Sequence, residues 1–329
     1  MFAQRLICSW IGAFALAAGA FGQTDIQFSL GSVGASPASI NKKGEIVGFY
    51  TDSALITHGF VRDPDGTITT IDVPGSSNTQ AVGINEEGAI TGYSPAPPGV
   101  AFVRDPEGNL TTFAPPGSVQ TYAMSINAGG VIAGTHYETF FVGHGFVRYA
   151  DGTLISFDPP GSINTTAYSI NAKGAITGAY VDANGGGSRP HGFVRQPWGE
   201  IVSFDLPGAF NTTPVSINDA GAITGRYTIA SGREFGFVRS PEGTITSFDS
   251  GFYTSATSIN SEGAITGFQF DPRLHNGVVH GFVRSPNGTN TSFDSPFCQA
   301  ASYGASISDA GVITGYCAAP NNVVWVRFP

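Results

Sequence analysis

The chain has 329 residues, 41% of them hydrophobic and 12% aromatic, with 45 Gly, 21 Pro and 25 Phe, a composition that excludes a disordered array and suits short strands joined by tight turns better than long helices. Its net charge of −9 argues against nucleic acid and anionic membrane surfaces as partners, because both select for Lys and Arg.

The N-terminus is set apart from the rest. Residues 1–5 are weakly basic, residues 6–20 are apolar, and Ala18-Gly19-Ala20 offers small residues at the −3 and −1 positions of a cleavage site. Residues 1–23 therefore read as a secretory signal peptide, with a retained single-helix anchor as the alternative. The apolar run is shorter than the roughly 20 residues that a spanning helix needs. Residues 24–329 are expected to form one exported domain, secreted or periplasmic, monomeric and with no membrane span. Two cysteines remain in it, Cys298 and Cys317. In an oxidising compartment such an isolated pair is expected as a disulfide.

The domain opens on Asp25-Ile-Gln-Phe-Ser29, which reads as a strand without its partners. From there a composite motif recurs. Anchored on the Asn of Ser-Ile-Asn, seven copies fall at Asn41, Asn85, Asn127, Asn171, Asn218, Asn260 and, with Ser in place of Asn, Ser308, at intervals of 42 to 48 residues. A fixed period in this range marks a repeat architecture. In the fourth copy the spacing predicts strands over 166–171, 175–180, 191–195 and 200–205. Asn171-Ala-Lys-Gly174 supplies the first tight turn, and in other copies sequences such as Ser240-Pro-Glu-Gly243 supply the second. Gly178, inside the second strand and matched in every copy, implies close approach of another backbone, expected from a neighbouring repeat.

Four antiparallel strands per 40–50 residues match a β-propeller blade. The last copy stops at Phe328-Pro329, before its fourth strand, and the lone N-terminal strand is the missing piece. The expected fold is all-β: a seven-bladed β-propeller of four-stranded blades, closed by the N-terminal strand completing the last blade. One rim then carries the uniform turns. The other carries the variable connections, above all 181–190, 228–234 and 269–279, and any site is expected there or in the axial mouth that they surround.

Residues that follow the repeat read as scaffold. His58, His144, His191 and His280 precede Gly-Phe, and apolar residues take their place in other copies. Asp72, Asp158, Asp205, Asp249 and Asp294 end the fourth strands, one per repeat, too dispersed for the paired acids of glycoside chemistry. Residues that occur once are the binding candidates: His136, Tyr137, Arg189, Arg226, Arg233, Asp271 and Arg273 by the variable connections, and Tyr122, Tyr253 and Tyr303 by the links between repeats. Aromatic rings there would stack on sugars or grip a peptide, and Arg would hold carboxylates. No catalytic constellation, metal spacing or cofactor fingerprint is present.

The composite Ser-Ile-Asn-x-x-Gly-x-Ile-x-Gly-x-Tyr, then His-Gly-Phe-Val-Arg, then Ile-x-Ser-Phe-Asp-x-Pro-Gly, resembles the bacterial extracellular repeat proteins named for a His-Ala-Phe motif, with Gly here in the middle position. The resemblance spans residues 25–329. It implies export and the repeat type and carries over no catalytic residue. The expected function is binding of a glycan or another cell-envelope component without catalysis. A polysaccharide lyase or glycoside hydrolase with its site in the axial mouth is the alternative, and a structural surface protein the second.

Overall fold

The computed structural model describes residues 24–31, 33–139, 142–183, 189–270, 278–318 and 323–329, and every regular element in them is a β-strand. The expected signal peptide, residues 1–23, lies outside the described residues. Among the described residues no helix is long and apolar enough to cross a membrane.

The fourth repeat shows how the sequence builds its unit. Strands Ser162–Ile170, Ile176–Asp182, His191–Arg195 and Ile201–Phe204 form one antiparallel sheet in that order. The inner strand starts four residues earlier than the spacing predicts. The link closes its own turn, with the Ser162 amide donating to the Pro159 carbonyl at 3.1 Å, and passes directly into pairing at Ser162↔Asp182. At the first hairpin the Gly174 amide donates to the Asn171 carbonyl at 2.9 Å, and Gly174 sits at φ +86°, where a side chain would be strained.

Asn171 does more than shape this turn. Its Oδ1 accepts from the Ala175 amide, and its Nδ2 donates to the Asn218 carbonyl of the next repeat at 3.0 Å. The same reach links Asn41 to Asn85, Asn85 to Asn127, Asn127 to Asn171, Asn218 to Asn260 and Asn260 to Ser308. The turn asparagine is thus also the fastener between repeats.

Each inner strand carries a β-bulge just before its Ser-Ile-Asn, in the fourth repeat between Ala167 and Ser169. The internal glycine answers to this geometry. A Cβ on Gly178 would lie 2.1 Å from the Thr166 carbonyl oxygen and 2.8 Å from the Phe193 ring. The expected approach of a neighbouring repeat is therefore corrected: the crowding comes from the inner strand and the third-strand Phe of the same sheet.

The other repeats pair likewise, giving five four-stranded sheets and one eight-stranded sheet among the described residues. The larger sheet is two four-stranded units joined by one parallel pair, Glu234↔Tyr253. The N-terminal strand Thr24–Phe28 pairs antiparallel with Val324–Phe328 and is the outer strand of the last repeat's sheet. Its register is fixed by Asp25, which meets Arg327 through two hydrogen bonds of 2.8 and 2.7 Å, with the two side chains only 7% and 9% exposed. Phe28 then receives the Arg62 guanidinium of the first repeat over its ring, as Phe113 receives Arg148 and Phe157 receives Arg195.

The core lies between the sheets. Val47 and Val61 of the first repeat pack on Ala81, Ile84, Ile90 and Phe102 of the second, and comparable clusters recur along the chain. Phe60, Phe102, Phe146, Phe193, Phe237 and Phe282 are fully buried, with Trp325 in the same place in the last repeat. Cys298 and Cys317 form the expected disulfide, which ties the link before the last repeat to the end of its second strand.

Candidate functional site

A facing pair of strand positions changes chemistry from repeat to repeat. The residue after the second-strand glycine is Phe49, Tyr93, Thr135, Ala179, Arg226, Phe268 and Tyr316 in successive repeats. Opposite it on the inner strand stand Ser36, Gln80, Tyr122, Thr166, Thr213, Ser255 and Tyr303. Both face the following repeat, so the outer member of one pair meets the inner member of the next. Tyr93 lies edge-on to Tyr122 at 4.7 Å, Phe268 edge-on to Tyr303 at 5.0 Å, and Arg226 donates to the Ser255 hydroxyl at 3.4 Å. Tyr303 stacks in turn on Tyr316, with centroids 4.9 Å apart. The result is a girdle along the inner edges of the sheets. It is bulky and aromatic at the second-to-third and the last two repeats, and small at Thr135, Thr166, Ala179 and Thr213.

Beneath the girdle the bulged residues of all the inner strands, Ala38, Val82, Met124, Tyr168, Val215, Thr257 and Ala305, line one cavity of about 140 Å³. This common lining places the cavity on the axis. Its wall is held by serines: Ser125, Ser169, Ser216 and Ser258 each accept the amide of the next repeat's isoleucine at 3.3 Å. Tyr168 stands where cavity and girdle meet. Burial pushes its phenol pKa up, opposed by the field of Arg226 and reinforced by Tyr137. Arg226 lies 3.7 Å from Glu234, whose carboxyl is raised by burial even though Arg226 and Ser255 pull it down. An ion pair, a phenol and a hydroxyl thus converge beside an aromatic wall.

Of the residues singled out in the sequence, Tyr122, Arg226 and Tyr303 belong to the girdle. Tyr137 joins them through an edge contact with Tyr122 at 5.9 Å. Tyr253 pairs with Glu234 and stacks on Phe270 at 5.9 Å. Arg189 stands apart over the Phe210 ring at 4.5 Å. Arg233 bonds Asp249 and covers the Phe235 ring. Asp271 and Arg273 lie outside the described residues. Tyr93, Tyr168, Phe268 and Tyr316 were missed in the sequence because each sits inside a repeated motif. The available signal was that their two columns, the residue after the second-strand glycine and the bulge residue, change chemistry from copy to copy.

His136 occupies a repeat slot. It takes the place of Tyr50, Tyr180 and Tyr227, is 3% exposed, and hydrogen-bonds Ser118 at 3.1 Å through Nδ1 and Ser156 at 2.8 Å through Nε2. Burial and the nearby His144 lower its pKa. Unfolded, the imidazole takes a proton near pH 6.5; folded, it does so only at lower pH. Its contribution is therefore fully present above about pH 6.5 and is lost as pH falls from there through the lower folded value. Denaturant titrations from pH 8 to 5 should show a shallower acid loss of stability in His136→Tyr than in the wild type, and parallel curves would refute the assignment.

The histidines and aspartates that follow the repeat are partners. His58, His144, His191 and His280 bond Asp72, Asp158, Asp205 and Asp294 through Nδ1 at 2.6 to 2.8 Å, always 14 residues apart. Where Phe235 replaces the histidine, Arg233 serves Asp249 instead. Where Val100 replaces it, the acid is lost too, as Ala114. Among the described residues no three His, Cys, Asp or Glu side chains are grouped as a metal would need.

No protein-family model matches the chain, and no curated protein does. Solved structures do. A catalytically inactive virginiamycin B lyase from Staphylococcus aureus with quinupristin is 13% identical and superposes with a TM-score of 0.64 over 93% of this chain and 99% of that one. The Dos1 propeller is 10% identical, with a TM-score of 0.52 over 92% and 93%. The fold is a β-propeller. YCF48 bound to a D1 peptide is also similar, at 10% identity and a TM-score of 0.56 over 96% of this chain and 100% of that one. Identities this low carry the fold and not the activity. Each four-stranded unit is a blade, and the girdle lies around the inner edges of the blades.

Proposed function

We propose that the chain is an exported, monomeric ring of seven blades, closed by its N-terminal strand, whose axial mouth binds a glycan or another cell-envelope component without turning it over. The carrying observation is the girdle: its varying strand positions gather Tyr93 with Tyr122, and Phe268 with Tyr303 and Tyr316, beside the axial cavity, where rings can stack on sugar faces. Closure is supported by the pairing of Thr24–Phe28 with Val324–Phe328 and by the Lys42–Asp309 ion pair, 3.0 Å, between the first and last repeats. The disulfide fits an oxidising compartment, as do the signal-like N-terminus and the likeness to extracellular His-Ala-Phe repeat proteins.

A second reading, a polysaccharide lyase or hydrolase at the same mouth, is favoured by Glu234, Arg226 and Tyr168, two of which have shifted acidities. A glycan-array screen of the mature protein, followed by product analysis of each hit, separates the two. Binding without product is the expected result, with about tenfold weaker affinity, on the order of 1.4 kcal/mol, in Tyr122→Ala and in Tyr303→Ala. Turnover abolished by Glu234→Gln would establish the enzyme. An array with no hits would reject both and leave a structural surface protein.

A further inference from the structure

Away from the axis, the second blade lacks a ring that the first, fourth and fifth blades share. In the first, fourth and fifth blades the second residue after the glycine lays its ring on the residue that starts the third strand: Tyr50 on His58 at 5.1 Å, Tyr180 on His191 at 5.3 Å, Tyr227 on Phe235 at 5.2 Å. Its polar tip then reaches a hydroxyl of the outer strand. Tyr50 bonds Thr70 at 3.1 Å, and Tyr227 bonds Ser247 at 3.0 Å. In the second blade these places hold Ser94, Val100 and Thr112, paired in the same register. Ser94 is too short to reach Thr112 and bonds Ser76 instead, at 2.6 Å.

The space that the ring fills in other blades is here a cavity of about 330 Å³, bounded by Val100 and Leu110, by Pro97 and Pro98 of the connection, and by Ser94 and Thr112. A cavity of this size is within the range of small-molecule sites. Its walls combine apolar side chains with three hydroxyls: Ser76 and Ser94 bond each other, and the Thr112 hydroxyl stands where a tyrosine oxygen ends in the first and fifth blades. We infer that this cavity is a binding site for a small phenol. The ring lies against Val100 and the prolines, and the phenol oxygen bonds Thr112. The repeat itself is the template for the ligand, since the same backbone holds a phenol of its own in the first and fifth blades. This site is separate from the axial mouth and does not depend on its function.

The probe is p-cresol, with toluene as the ring without the oxygen, followed by amide chemical shifts of the mature, isotope-labelled protein. p-Cresol is expected to shift Val100, Leu110 and Thr112 saturably and to bind at least fivefold more tightly than toluene. Thr112→Val should remove that preference and leave toluene binding unchanged. Ser94→Tyr, which restores the blade's own ring, should abolish binding of both. A tyrosine side chain carries the same ring, so N-acetyltyrosinamide is titrated in parallel: tighter binding of p-cresol assigns a free phenol, and tighter binding of the amide overturns that in favour of a peptide-borne one. Absence of saturable shifts in the wild type overturns the inference. So does undiminished binding in Ser94→Tyr or, should that variant not fold, an undiminished p-cresol preference in Thr112→Val.

Discussion

Replacing Asp25 by Ala is expected to destabilise the mature protein by about 3–5 kcal/mol, although the residue is the second of the described chain. The substitution leaves the Arg327 guanidinium nearly buried without its counter-ion, and an uncompensated buried charge costs far more than an exposed pair returns. It also removes the two bonds that set the register of Thr24–Phe28 on Val324–Phe328. Deleting residues 24–30 goes further, because it strips the last blade of its outer strand and exposes the edge of Val324–Phe328, a template for pairing with another chain. Denaturant midpoints for the substitution and light scattering for the deletion are the measurements. A truncated protein that remains monomeric and equally stable would show that the N-terminal strand does not hold the last blade together.

Gly178→Ala is the second large effect. The added methyl would sit 2.1 Å from a backbone oxygen, so the inner strand must move, and with it the bulge that seats Tyr168 at the axial mouth. Overpacking against side chains costs about 1–3 kcal/mol; against backbone the loss should exceed about 3 kcal/mol. Gly208→Ala is the control. Gly208 also tolerates no side chain easily, at φ +76°, but a Cβ there meets nothing within 4 Å, so its cost is conformational and about 1–2 kcal/mol. Thermal unfolding of the two variants beside the wild type tests the ordering, and equal losses would mean that the close approach at Gly178 relaxes freely.

Local chemistry made much of the fold legible. The Asn-x-x-Gly and Pro-x-Gly turns announce hairpins because few residues satisfy their dihedral angles, and Asp25-Ile-Gln-Phe reads as an outer strand because it copies the rhythm of Thr-Ile-Thr-Ser-Phe. The partner of the internal glycine was not legible, since the bulge that brings Thr166 close adds a residue without any signal of its own. The site was legible in part. Tyr122, Arg226 and Tyr303 stand out as single occurrences, whereas Tyr93 and Tyr316, in the middle place of Gly-x-Tyr, pass for the tyrosine one residue further on. Knowing that they matter requires knowing which face of a strand meets the next blade. His136 misleads in the other direction. It looks singular as a letter, yet it fills the slot of Tyr50 and Tyr180 and reaches Ser156 as a tyrosine reaches its hydroxyl. The constant spacing of 14 between His58 and Asp72 was visible throughout. It does not read as a bond in sequence, because His58 stands at the start of the third strand and Asp72 follows the fourth.

The asparagine fasteners have a direction. Every Asn gives its amide to the blade after it, and the series ends at Ser308, which accepts from Asn260 but has no amide to pass on; its hydroxyl accepts from the Val312 amide of its own turn. The chain therefore has a first and a last unit written into its chemistry. A duplicated repeat inserted between two Asn-bearing neighbours would find a donor behind it and an acceptor ahead. The same copy placed after Ser308 would find no donor behind it, and it would part the Lys42–Asp309 pair. The array therefore accommodates an added unit in its interior more readily than beyond Ser308, where the two ends of the array meet.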